Sequence, residues 1–380
     1  ELGCIETGKL LRVSITMNQK PKSLFHREPI WLLIVVIVLI PFFHTLFSGT
    51  LDIEPWDDDD VFENYIGLRG VSTKLLVQPS LARQISNKIL SPPIPIEKLT
   101  NSDEADKIVC PPGFNLIKDV QTLNDHAGED NAIQRKIPKI VHMTSKSRCV
   151  SPAFGENIEK WKFHGYKFYF HDDEAVHQLL YERDWSPLVP HLVKVLNCIT
   201  SMTAKVDIWR YLVIWEYGGI YSDIDSSPNI FNGTTILPDD DAYFVVEQLG
   251  IPSQYFFAAS PSHPIMYFAV EWALHNISVR MNIRDNEAPK TTGPKALGMG
   301  FSWFTGKTYY SGAGVYNGEP PFADRSVKIE GEKERSNNIV VRETISRGPK
   351  LKLYQNQNMT HFMQDKEEEG LKCWIHLLAM

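Results

Sequence analysis

The chain has 380 residues, 43% of them apolar and 22% charged, and its 39 basic against 46 acidic side chains leave a formal charge of −7. That is the composition of a folded globular protein, which excludes a disordered, collagen-like or disulfide-knot chain. A mild acidic excess with no long run of Lys or Arg also lacks the electrostatic footprint of a nucleic-acid binder, so no nucleic-acid partner is expected.

The composition is uneven along the chain. Residues 1–29 read as a cytosolic tail; Met17 sits where a compact tail would begin, and 1–16 read as an upstream extension. Ile30 to Ile40 contains no polar residue, and the apolar character continues past Pro41 to Phe47. About 18 residues at a rise of roughly 1.5 Å reach ~27 Å, close to one bilayer core. Apolar side chains all around such a helix leave no polar face for water, so 30–47 is expected to be a transmembrane signal anchor rather than a buried core helix. Lys20, Lys22 and Arg27 precede it, whereas Asp52, Glu54 and Asp57 to Asp60 follow. The positive-inside rule then places the N-terminus in the cytosol and the rest of the chain in the lumen, a single-pass type II arrangement. The sequons at Asn232, Asn276 and Asn358 and four of the five cysteines (Cys110, Cys149, Cys198 and Cys373) all lie on the lumenal side. Four cysteines allow two disulfides in any of three pairings, or buried free thiols.

Residues 48–135 are acidic near the anchor and then broken by Pro79, Ser91-Pro-Pro-Ile-Pro95 and Cys110-Pro-Pro-Gly113, which reads as a stem. From Ile137 the pattern changes. Ile137 to Val141 predicts a short buried strand, a helix is expected around Glu156 to Lys160, and Trp161 to Phe170 reads as strand sequence. Asp172-Asp173-Glu174 places acidic residues where the N-terminal dipole of a helix favours them. Strands alternating with helices predict an α/β fold with a mainly parallel sheet over 136–365, one catalytic domain, followed by a tail at 366–380.

Ser201 to Asn229 carries the chemistry. Ser201 or Thr203 can cap a helix with apolar positions at Val206, Trp209, Leu212 and Val213, and Gly218-Gly219 after Tyr217 is a stop signal. A strand from Ile220-Tyr221 is expected to run into Asp223-Ile-Asp225, which puts both carboxylates on one side at a strand's C-terminal end, where open α/β sheets bind ligands. Such a pair can hold a hard divalent cation or work as acid and base. The same pattern also arises by chance in surface runs such as Asp239 to Asp241. Asp207 and Arg210 lie three apart on one helical face.

Five segments together resemble glycosyltransferase family 32, the Asp-x-Asp sugar transferases that include Golgi initiating α-1,6-mannosyltransferases and sphingolipid mannosyltransferases. They are Ile137-Pro-Lys-Ile-Val-His142, Ala204-Lys-Val-Asp-Ile-Trp-Arg-Tyr211, Tyr217-Gly-Gly-Ile-Tyr-Ser-Asp-Ile-Asp225, Ala259-Ser-Pro-Ser-His263 and Thr292-Gly-Pro294. The resemblance implies a single GT-A, Rossmann-like domain, retention of anomeric configuration, a nucleotide-sugar donor, and Mn²⁺ or Mg²⁺. It makes Asp223 and Asp225 the metal-holding pair, Asp225 the direct ligand, with His361 a late metal or diphosphate contact. Asp207 and Arg210 then meet the donor, with His142, Thr144 and Tyr221 near it, and Asp207, Arg210 and Asp225 form the catalytic set. Ser145 stands where many relatives have Trp, which leaves the donor base without that stacking partner. The expected reaction is transfer of a hexose, mannose from GDP-mannose, to a glycan or lipid acceptor at the Golgi membrane, reached through one helix. A UDP-sugar donor on the same fold, or a non-catalytic lumenal binding protein, are the alternatives.

Overall fold

The computed structural model describes residues 2–6, 9–13, 91–105, 107–120, 135–246, 252–280, 288–307, 313–330 and 346–347. The expected membrane span at 30–47 and the expected Asn358, His361 and Cys373 positions lie outside them. Among the described residues no helix is long and apolar enough to cross a membrane. The chain divides into two units, 1–70 and 71–380. In the first, Leu2–Glu6 and Lys9–Val13 pair as an antiparallel hairpin, with Leu2 opposite Val13 and Glu6 opposite Lys9.

The second unit is built on a seven-stranded sheet. Its strands are β1 (Ile140–Thr144), β2 (Lys167–His171), β3 (Gly219–Ser222), β4 (Ala242–Val246), β5 (Pro252–Ala259), β6 (Gly314–Asn317) and β7 (Ser326–Glu330), in the spatial order β6-β7-β4-β5-β3-β1-β2. β1 is parallel to β2 and β3, and β7 to β4, whereas β5 is antiparallel to both its neighbours and β6 to β7. Five strands therefore run one way and two the other, a mixed but mainly parallel sheet. The helices used below are α1 (Ile96–Leu99), α2 (Pro152–Glu159), α3 (Asp173–His177), α4 (Met202–Tyr217), α5 (Pro264–Arg280) and α6 (Pro294–Thr305).

Several local signals act as the sequence indicates. Asp172 caps α3 by accepting from the Ala175 amide at 3.1 Å, and Ser201 caps α4 by accepting from Ala204 at 3.3 Å. Others shift. Strand β1 starts at Ile140 rather than Ile137, which is a buried lead-in. The aromatic run from Trp161 becomes strand only at Lys167, because Gly165 turns the chain with φ +72°. Trp161 instead anchors an aromatic core, its ring 5.6 Å from Phe256 and 5.9 Å from Phe231. Burial of each such side chain contributes roughly 2–3 kcal/mol.

The residues expected to form a stem do not all stand apart from the domain. Ile96, Leu99 and Ile117 are buried, and Val120 bridges to Phe168 of β2. Arg148, itself buried, donates to the Thr100 and Phe170 carbonyls at 2.7 and 2.6 Å and pairs with Asp119 at 3.0 Å. Arg183 donates to the Ser91 carbonyl at 2.6 Å, and the Tyr217 hydroxyl to that of Ile94 at 2.6 Å. Packed structure thus begins upstream of residue 136. A Cys110–Cys149 disulfide closes this region, which selects one of the open pairings, and Cys198 is disulfide-bonded as well.

Candidate active site

Helix α4 is buried almost all round, because Asp207 to Trp215 are all enclosed. It stops at two glycines with positive φ, Gly218 at +65° and Gly219 at +98°. A Cβ on Gly218 would lie 2.6 Å from Pro261, and one on Gly219 would lie 2.6 Å from the Ile140 carbonyl. The Gly-Gly pair therefore does more than end a helix: it lets β3 start directly against β1.

The chain leaves β3 at Ser222 and turns at once. The Ser226 amide donates to the Asp223 carbonyl at 3.0 Å, so Asp223 and Asp225 sit in a tight turn and not on a continuing strand. The strand alternation expected for them does not apply, and their environments differ. Asp223 keeps 23% of its side chain exposed, while Asp225 is buried at 1%. β5 runs antiparallel beside β3, so its first residues flank the turn, and the Asp223 amide donates to the Tyr255 carbonyl at 2.8 Å.

Arg210 is the hub of the site. Its Nη1 donates to Asp223 Oδ1 and to the Gln254 carbonyl, both at 3.1 Å, and Nη2 lies 3.2 Å from Asp207 Oδ1. The guanidinium also sits over the Tyr221 ring, 4.6 Å from its centroid. Burial works against its charge, but Tyr221, Asp223 and Asp207 outweigh that and hold its pKa above the ordinary value. Its Nε is buried with no hydrogen-bond partner among the described residues. Tyr221 donates to Asp223 Oδ1 at 2.6 Å, and burial raises its hydroxyl pKa well above the usual range, so it stays a donor.

Asp207 faces inward to this hub. Besides Arg210, its Oδ1 accepts from Gln254 Nε2 at 2.9 Å and its Oδ2 from the Thr292 hydroxyl at 2.8 Å. Tyr211 completes the frame, accepting from Gln254 at 3.0 Å and donating to the Thr292 and Gly293 carbonyls at 2.9 Å each. Burial raises the Asp207 pKa, opposed by Arg210, Thr292 and Gln254. In this arrangement Asp207 holds Arg210 in place.

The structure thus brings Asp207, Arg210, Tyr221 and Asp223 into contact, with Asp225 two residues on in the same turn, but not His142. That imidazole is wholly enclosed, with Nδ1 3.1 Å from His171 Nε2 and Nε2 3.0 Å from the Gly218 carbonyl, which leaves neither nitrogen for a donor. Thr144 ends β1, and its hydroxyl donates to the His171 carbonyl at 2.7 Å. Ser260 and His263 of the fourth motif serve a different knot, around Asp241. Ser260 Oγ donates to Asp241 at 2.5 Å, Arg325 Nε donates at 2.7 Å, and His263 Nε2 donates to the Ser326 carbonyl at 3.1 Å. Gln254 and Thr292 were missed as site residues, although Thr292 opens a motif segment. Asn157 and Trp161 were missed too: Asn157 Nδ2 donates to the Ile224 and Ser226 carbonyls at 2.7 and 2.6 Å, and Trp161 Nε1 to Ser226 at 2.9 Å.

Comparison with known proteins gives this geometry a family context. Residues 151–235, which run from the start of α2 through the Asp223–Ser226 turn, match the family model described as a glycosyltransferase sugar-binding region containing a DXD motif. This segment is thus similar to DXD-type glycosyltransferase sugar-binding regions. Two curated relatives from Schizosaccharomyces pombe are each 27% identical to the chain. Inositol phosphoceramide mannosyltransferase 1 aligns over 38% of this chain and 43% of its own length, and the initiation-specific alpha-1,6-mannosyltransferase over 42% and 46%. The chain therefore spans less than half the length of either. A solved structure, PaToxG glycosyltransferase, is 16% identical over 44% of this chain and 69% of its own, with a TM-score of 0.35. The resemblance to the Asp-x-Asp sugar transferases holds in the DXD region, and both relatives carry mannosyltransferase names.

Among the described residues no three His, Cys, Asp or Glu side chains converge as a ready-made metal cage. The donor set of the DXD turn is two carboxylates, hard oxygen ligands that suit Mn²⁺ or Mg²⁺ when diphosphate oxygens and water complete the coordination. The residues fit a cation that arrives with, or is completed by, a phosphorylated ligand.

Proposed function

We propose that the chain is a divalent-metal-dependent hexosyltransferase of GT-A architecture that transfers mannose from GDP-mannose, with retention, to a glycan or lipid acceptor. The observation that carries this reading is the Asp207–Arg210–Asp223 chain of buried contacts, which delivers a fixed cationic group to the side of a DXD turn at the end of β3. In the transfer the C1–O bond to the diphosphate breaks and the nucleoside diphosphate leaves with the electron pair. The acceptor hydroxyl oxygen bonds to C1, and its proton passes to the departing phosphate. Asp223 and Asp225 would hold Mn²⁺ or Mg²⁺, which neutralises charge on that leaving group.

The protein groups do the rest. Arg210 is held cationic and in place by Asp207, Asp223 and the Gln254 carbonyl, so its charge is preorganised where a phosphate or sugar oxygen would lie. Its Nε has no acceptor among the described residues, which leaves one donor of the guanidinium to be satisfied. Tyr221 fixes the rotamer of Asp223. The mannosyl donor is supported by the names of the two fission-yeast relatives. The apolar run Ile30 to Phe47, with basic residues before it and acidic ones after, supports a signal anchor and a lumenal, Golgi-membrane site of action.

The test is a nucleotide-sugar panel with the full chain, read as Mn²⁺-dependent donor hydrolysis and transfer. GDP-mannose turnover that Asp225→Asn abolishes while the melting temperature is kept is the expected result. Preference for a UDP-sugar would overturn the mannosyl assignment. Absence of metal-dependent binding or turnover of any donor, in a folded sample, would overturn the transferase reading itself.

A further inference from the structure

The DXD turn has little of its own to keep it in shape. A bond from the Ser226 amide to the Asp223 carbonyl spans the two central residues Ile224 and Asp225, and the Ile224 and Ser226 carbonyls find side-chain partners elsewhere. Both are met by one side chain. Asn157, near the C-terminal end of α2, places Nδ2 2.7 Å from the Ile224 carbonyl and 2.6 Å from that of Ser226. Since both partners are acceptors only, it is the amide NH₂ that faces them, and its two hydrogens are fully used. Trp161, four residues on and completely buried, adds its indole N–H to the Ser226 carbonyl at 2.9 Å. Its ring is fixed in turn by Phe163, Phe231 and Phe256, with centroids 5.6–5.9 Å away.

We infer that Asn157 and Trp161 are positioning residues for Asp225: they hold the Ile224 carbonyl of the peptide before it and the Ser226 carbonyl one peptide beyond it, while the Ser226 amide bond to Asp223 holds the peptide between, and together these fix where its buried carboxylate points. The inference rests on the reading of Asp225 as a metal ligand. A side-chain amide that ties residues 224 and 226 together leaves Asp225 little freedom at φ and ψ, whereas a turn held only by its own bond can pivot. Two carboxylates that must share one small cation need this, because a hard divalent ion tolerates only small errors in ligand placement. Partners of this kind, one step behind the ligand, change metal affinity by about 10–100-fold when removed. The arrangement also gives a physical reason for α2 to belong with the DXD turn, which starts 66 residues beyond Asn157, as parts of one sugar-binding region.

The experiment is a Mn²⁺ titration of the full chain, with free Mn²⁺ read from its electron paramagnetic resonance signal, beside a thermal melt of each variant. Wild type and Asp225→Asn set the frame: if wild type takes up no Mn²⁺, or Asp225→Asn takes it up equally, the reading of the site fails before the inference is reached. Given metal uptake that depends on Asp225, Asn157→Ala is expected to weaken Mn²⁺ binding about tenfold or more. Asn157→Asp, nearly the same shape but with oxygen facing two carbonyls, should weaken it at least as much. Trp161→Phe, which keeps a buried ring and loses only the N–H, should weaken it by a smaller factor and serves if Asn157 variants do not fold. Tyr166→Phe is the control. It removes a 2.9 Å bond to the Gly233 carbonyl further along the same loop, and should lower the melting temperature without changing Mn²⁺ affinity. Mn²⁺ affinity unchanged in the folded Asn157 or Trp161 variants, or lowered equally by Tyr166→Phe, would overturn the inference.

Discussion

The buried histidine pair beneath the site makes an acid-sensitive joint whose size follows from its geometry. The Gly218 carbonyl can only accept, so His142 Nε2 must carry a proton and donate to it, which leaves Nδ1 to accept from His171 Nε2–H. His171 Nδ1 is then a bare lone pair, and it is indeed buried without a hydrogen-bond partner among the described residues. A second proton on His142 would set two N–H groups against each other. Burial lowers the His142 pKa from its ordinary value to about 4, against a weaker opposing effect of the Gly218 bond, and lowers that of His171 well below the usual range. A depressed folded-state pKa means that the unfolded chain binds more protons between about pH 6.5 and 4, so stability is fully present above that window and is lost as pH falls through it. For His142 alone, the loss between pH 7.5 and pH 5 is about 2 kcal/mol. Urea unfolding of wild type and of His142→Gln, whose amide can still donate to Gly218, measures it at the two pH values. The variant is expected to lose about 2 kcal/mol less than wild type over that interval. Equal pH sensitivity in the two proteins, or an NMR titration that puts the folded His142 near 6.5, would refute the reasoning.

Three further outcomes are expected. Asp207→Asn sets an amide against a donor in a site that already supplies three and removes a buried partner of Arg210, so urea unfolding should show a loss of about 3 kcal/mol, with Thr292→Val costing about 1–2 kcal/mol. Gly219→Ala should cost roughly 3 kcal/mol, from left-handed strain plus collision with the Ile140 carbonyl, whereas Gly113→Ala, at φ +84° but with no atom within 4 Å of the new Cβ, should cost only about 1 kcal/mol. On expression through a secretory pathway, peptide mass spectrometry should find glycan on Asn232 and not on Asn276. Asn232 is exposed, with Oδ1 accepting from the Thr234 amide and hydroxyl of its own sequon, whereas Asn276 is buried in α5 and donates to the Lys290 carbonyl.

What the sequence disclosed and what it withheld divide along chain separation. Helix α4 was legible end to end, because Ser201, Gly218 and the apolar spacing between them are local signals. Asp223 and Asp225 were legible as a pair, but their geometry was misjudged: alternation assumes a strand, and one amide-to-carbonyl bond at Ser226 converts the segment to a turn. Gln254, Asn157 and Trp161 carry no local signature at all, and Thr292 is marked only as the first residue of a motif segment. They enter the site through contacts 43 to 85 positions along the chain, and an Asn or Gln in isolation reads only as polar. His142 failed in the opposite direction. It stands in a segment read as resembling the family, outside the residues the family model matches, and its imidazole is enclosed against the Gly218 carbonyl.

The upstream segment from Ser91 to Val120 bears on where the protein can be cut. Arg148 and Arg183 are buried cations whose acceptors include the Thr100 carbonyl and Ser91. A fragment that began at residue 136, at the first motif, would strip these partners from both guanidinium groups, uncover the apolar contacts of Ile96, Leu99 and Ile117, and leave Cys149 without its mate. Such a fragment would retain every residue of the DXD region and still be a poor vehicle for studying it. The smallest useful truncation starts at or before Ser91, so the boundary that matters for folding and the boundary of the recognisable motifs lie some 45 residues apart.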